Sequence, residues 1–92
     1  MKKKHRKEVG RRVKKFRIHM DMLQSEMVEF LDMGRANFSR IEKGEIYPGL
    51  FTLKTLQDRF GLNPNWIINN TGESFCKILR VQNSILGKMK MN

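Results

Sequence analysis

At 92 residues the chain has room for one compact core and no second one of ordinary size. It carries 19 Lys and Arg against 9 Asp and Glu, a net charge of +10, so a polyanion such as nucleic acid or an anionic membrane surface is the first partner to consider. The single cysteine, Cys76, excludes an internal disulfide and fits a reducing cytoplasm.

The charge is concentrated at the start. Residues 1 to 20 hold ten Lys or Arg against Glu8 alone, and the remainder is nearly balanced. Residues 1–7 therefore read as a basic flexible arm, with Lys2, Lys3, Lys4, Arg6 and Lys7 available to phosphates. The opening MKKKHRK lacks the apolar stretch that a secretory signal would need next.

Val9, Val13, Phe16 and Met20 recur at steps of four, three and four, which predicts a first helix with Arg11, Arg12, Lys14 and Lys15 off its apolar stripe. Met27, Val28 and Leu31 form a short apolar face after Gln24. Phe38 and Ile41 form another before Lys43-Gly44, where glycine can take the left-handed cap conformation. These are two short helices separated by little more than Asp32-Met33. After the break at Tyr47-Pro48-Gly49, Leu50, Leu53, Leu56 and Phe60 predict a fourth helix ending at Gly61. Asn63-Pro64 starts a fifth, because Asn caps free amides and Pro at the first position gives up no needed donor; Trp66 and Ile67 ride on it. Ile78, Val81, Ile85 and Met89 keep helical spacing and predict an additional C-terminal helix within residues 73–92. No strand pattern, internal repeat, metal-ligand cluster or glycine-rich phosphate loop competes, so the expected fold class is all-α with no cofactor.

Two short helices held at a steep angle need small or apolar residues where they meet, and the second must keep a polar face free if it is to enter a major groove. With Phe38 and Ile41 pointing inward, Gly34, Arg35, Ala36, Asn37, Ser39 and Arg40 are left outside. The run QSEMVEFLDMGRANFSRIEKG at residues 24–44, followed by Pro48, the segment from Leu50 to Gly61 and NPNWI, resembles the lambda Cro and repressor family of DNA-binding domains, the XRE family. The likeness extends from Val9 to Gly72, about two thirds of the chain.

The resemblance implies a five-helix lambda-repressor-like domain over residues 8–72, with a helix-turn-helix whose second member reads double-stranded DNA in the major groove. It implies a homodimer on a palindromic operator, with recognition helices about 34 Å apart. Carried over residue by residue, Gln24 matches a position that touches phosphate or base, Gly34, Arg35, Ala36, Asn37 and Arg40 the face entering the groove, and Lys43 a loop lying on the backbone. The chemistry agrees, since Arg suits guanine, Asn suits adenine, Ala can meet a thymine methyl and Lys suits phosphate. Arg17 and Glu42 resemble the family's partly buried ion pair. The sequence departs from the pattern at Leu23, where Thr or Ser usually caps the second helix, at Asp32 in place of a turn glycine, and at Val28, bulkier than the usual Ala.

The expected function is a transcriptional regulator, a repressor, in a prokaryotic or phage-encoded cytoplasmic setting. The alternative is an antitoxin that uses the same domain on its operator while the tail from Phe75 to Asn92 grips a toxin-like protein. Spacing suggests no nucleophile-base set or carboxylate pair, so no enzyme is expected, and the polar inner segments argue against a membrane helix.

Overall fold

The computed structural model describes residues 2–72, which form five helices and no strand. They are α1 (Lys2–His19), α2 (Gln24–Leu31), α3 (Arg35–Glu42), α4 (Leu50–Phe60) and α5 (Pro64–Asn69). The helix expected within residues 73–92 lies outside the described residues. α1 packs on α3 and α5, while α2 packs on α3 and α4.

The apolar stripes meet in one core of Val9, Val13, Phe16, Met27, Leu31, Phe38, Ile41, Leu56, Phe60, Leu62 and Ile67. Burying side chains of this size contributes about 1.5–3 kcal/mol each relative to exposure. Phe60 sits edge-on to both Phe16 and Phe30, with ring centroids 6.3 and 5.2 Å apart, which joins α1 and α2 to α4. Val28 is half-buried against the core and Phe38 is fully buried, so the larger residue is accommodated while α2 still packs on α3.

Helix ends follow the local chemistry. Asp32 takes the left-handed conformation (φ 51°) that closes α2, a role short polar side chains tolerate. Leu23 has no side-chain oxygen for the α2 amides, but the Glu26 carboxylate reaches back to accept from the Leu23 N–H at 2.9 Å, which supplies half of a capping box. Asn63 accepts from the Asn65 N–H at 3.0 Å ahead of Pro64, and Gly61 closes α4 at φ 74°.

Two expectations are corrected. Residues 2–7 are the first turns of α1, so the basic segment is a helix continuous with the core-forming stripe and not a flexible arm. Cations at a helix N-terminus oppose its dipole, and what offsets them is contact with distant segments. The His5 Nε2 donates to the Ile68 carbonyl at 2.8 Å; its Nδ1 then accepts from the Tyr47 hydroxyl at 2.8 Å. The second correction concerns α4. Leu50 opens that helix and is 84% exposed, whereas Thr52 and Leu62 are buried instead. Burial in α4 follows Thr52, Leu56 and Phe60 at steps of four, so the inward side is turned toward Thr52 and Leu50 falls outside it.

Candidate functional site

α2 and α3 are joined by the three residues Asp32, Met33 and Gly34, and α3 is held from within. Phe38, Ile41 and Glu42 are buried on its inner side. α1 closes on the end of α3 at Gly10, where an added Cβ would collide with the Ile41 and Glu42 carbonyl oxygens. One turn earlier on α1, Lys7 packs against Gly44, which occupies φ 79° and has no room for a side chain. The close approach therefore requires glycine on both sides, and it fixes the C-terminal end of α3 to the long first helix.

Beneath this face lies a charged network. The Glu42 carboxylate, with only 3% of its side chain exposed, receives Arg17 in a two-pronged pair, Nε to Oε2 at 2.7 Å and Nη2 to Oε1 at 3.2 Å. Arg17 Nη1 donates to the Met22 carbonyl at 2.8 Å, tying the same guanidinium to the α1–α2 connection. Gln24 Nε2 donates to Glu42 Oε1 at 2.8 Å, and the Gln24 carbonyl oxygen accepts from Arg35 Nε at 3.4 Å. An unbroken chain of polar contacts thus runs from buried Glu42 through Gln24 to exposed Arg35. The planar guanidinium matches the carboxylate in both length and plane, which favours Arg over Lys at position 17.

The outer face of α3 carries most of the residues singled out from the sequence. Gly34, Arg35, Ala36, Asn37, Arg40 and Lys43 are exposed, and Ser39 is half-buried. Gly34 precedes α3 in extended geometry, and a Cβ there would meet nothing, so the fold itself makes no demand for glycine at that position. Arg40 Nε lies 3.3 Å from Glu45 Oε1, with both side chains about half exposed. Such a pair contributes about 0–1 kcal/mol and separates easily. Gln24, on α2, is half-buried like Ser39, and its amide is shared between Glu42 and Arg35. It positions Arg35 as well as bordering the face.

Glu45 was not among the residues the sequence pointed to, because a lone acid in a loop after a basic helix has no distinguishing pattern. Its spacing five residues after Arg40 was the only available signal. Among the described residues no group of His, Cys, Asp and Glu is arranged to hold a metal ion, and no helix is long and apolar enough to cross a membrane.

Compared with known proteins, the chain matches no family model, no curated protein and no solved structure. The chemistry of the site therefore rests on its own geometry: a short helix anchored from below, with amide, guanidinium and ammonium donors along its free side.

Proposed function

We propose that α2 and α3 form a helix-turn-helix with which the chain reads duplex DNA, in the manner of the lambda Cro and repressor family. The observation that carries this reading is the division of α3. Its inner residues Phe38, Ile41 and Glu42 are consumed by the core and the ion-pair network, while Gly34, Arg35, Ala36, Asn37, Arg40 and Lys43 are exposed on the side left over. That side offers donors suited to base edges in its first turns and a cation suited to phosphate at its end. Gln24 holds Arg35 at the N-terminal part of α3, the part that enters the groove in helix-turn-helix complexes. The exposed Gly34 leaves backbone free for close approach.

The working form is a homodimer on a palindromic operator, and the function a transcriptional repressor. Selection of binding sites from random duplex DNA at moderate salt tests this directly. The expected result is a palindrome with half-sites about one helical turn apart. Within the recovered site, Arg35→Ala should cost roughly 1–3 kcal/mol and relax preference at one base pair, whereas Lys43→Ala should weaken all sequences about equally. A folded protein that enriches no motif, or an Arg35→Ala variant that loses selected and random DNA equally, rejects the reading.

A further inference from the structure

The helical start of α1 changes what its lysines can do. At 3.6 residues per turn, each residue advances about 100° around the axis. By that measure Lys3, Lys7, Gly10, Lys14 and Arg17 share one flank, whereas Lys4, Arg11 and Lys15 lie on another, nearer Arg12.

The contacts show what each flank faces. Gly10 abuts the Ile41 and Glu42 carbonyls, Lys7 abuts Gly44, and Arg17 reaches the Glu42 carboxylate, so the first flank faces the C-terminal end of α3. Arg12 Nη1 donates to the Ile67 carbonyl at 2.8 Å, so the side of α1 toward α5 lies about 80° beyond the second flank, whose Lys4, Arg11 and Lys15 are exposed. Lys43 sits in the chain between Glu42 and Gly44, the two points that touch the first flank.

Lys3, Lys7 and Lys14 are exposed, and among the described residues none has an ion-pair partner. The start of the Lys7 stem rests on Gly44, the residue after Lys43. From Lys3 to Lys14 is about 16 Å along the helix. Three cations spread over that length are far enough apart to meet separate phosphates of one strand.

We infer that the flank of α1 bearing Lys3, Lys7 and Lys14 is a rigid phosphate track that continues from Lys43 and extends the contact with the backbone of the DNA that α3 reads. The inference rests on the DNA-reading role of α3. The partner is duplex DNA and not a lipid surface, because the apolar side of α1 is already spent: Val9, Val13 and Phe16 are at most 2% exposed. An interfacial membrane helix needs that side free to enter the acyl region. Held as a helix by His5, the track presents its charges at fixed spacing without ordering a flexible segment on binding.

The test compares three full-length proteins: wild type, K3Q/K7Q/K14Q, and K4Q/R11Q/K15Q. Each variant loses the same three charges from the same helix. Glutamine keeps helix propensity and leaves the stem of residue 7 against Gly44. Circular dichroism establishes equal helicity, and binding to a selected duplex and a random duplex is measured between 50 and 200 mM salt.

The slope of log K against log salt should become shallower by about 2–3 in the first variant, from three phosphates at about 0.9 each. It should change by less than half of that in the second, and the effect should be the same on both duplexes. Equal slope changes in the two variants would reduce the effect to general electrostatic attraction and overturn the track. Duplex binding by wild type with an unchanged slope in K3Q/K7Q/K14Q overturns the track alone. Failure of wild type to bind any duplex overturns the α3 reading together with it. Tighter binding of wild type to phosphatidylcholine vesicles containing a third phosphatidylserine than to duplex, abolished in the first variant, would assign the flank to membranes instead.

Discussion

Replacing Arg17 by Met would leave the Glu42 carboxylate with Gln24 as its one remaining side-chain partner among the described residues, inside a site where 3% of the glutamate side chain meets water. Breaking a buried pair by removing one member costs about 3–5 kcal/mol, because the surviving charge is desolvated without compensation. The retained Gln24 bond argues for the lower end of that range. The lost bond from Arg17 Nη1 to the Met22 carbonyl adds to the cost, since it also secures the α1–α2 connection. For a domain of this size each kcal/mol moves the melting temperature by about 4–8 °C, so a fall of roughly 12–25 °C is expected. Thermal melts followed by circular dichroism measure it. A double-mutant cycle with Glu42→Gln separates the pair from packing: Arg17→Met/Glu42→Gln should recover about half of the loss, because no buried charge is left alone. An unchanged melting curve for Arg17→Met, or a double variant no more stable than the single, would refute the claim that the network supports α3.

Gly10→Ala should destabilise the fold by about 1–3 kcal/mol, since the added methyl meets backbone carbonyls that cannot rotate away. Chemical denaturation measures the loss, and a neutral result would mean that α1 and α3 can separate without penalty. Leu50→Ser should alter stability by no more than about 0.5 kcal/mol, while Leu56→Ala, at a fully buried site, should cost about 2–5 kcal/mol. The same denaturation series checks the contrast, and a large effect at Leu50 would show that it is covered in solution.

Much of the architecture is legible in the sequence because the core is built from local periodicity. Val9, Val13 and Phe16, and likewise Phe38 and Ile41, are spaced so that any helix through them has an apolar side, and those sides meet as expected. Turn chemistry is equally local: Asn63-Pro64 and Gly61 act where they stand. The misses share a different character. Leu50 stands three residues before Leu53, but the buried side of α4 runs through Thr52, Leu56 and Phe60, and a polar Thr gives no apolar signal for that side. Leu62 is buried just after a cap, where helical spacing no longer applies. The helical start of α1 depends on His5 meeting residues 42 and 63 positions away, contacts that no window of sequence reveals. At the candidate site, the exposed face of α3 is readable from its polarity, and the pairing of Arg17 with Glu42 from family resemblance. The sharing of Gln24 between Glu42 and Arg35 is not, because an amide leaves no periodic trace.

The His5 bridge also brings the beginning of α1 and the end of α5 to the same pole of the domain, within one imidazole ring of each other. Domains whose ends lie close together tolerate rearranged connectivity. The same proximity means that a dye attached beside His5 or beside Ile68 would report from one place, the pole where α5 ends.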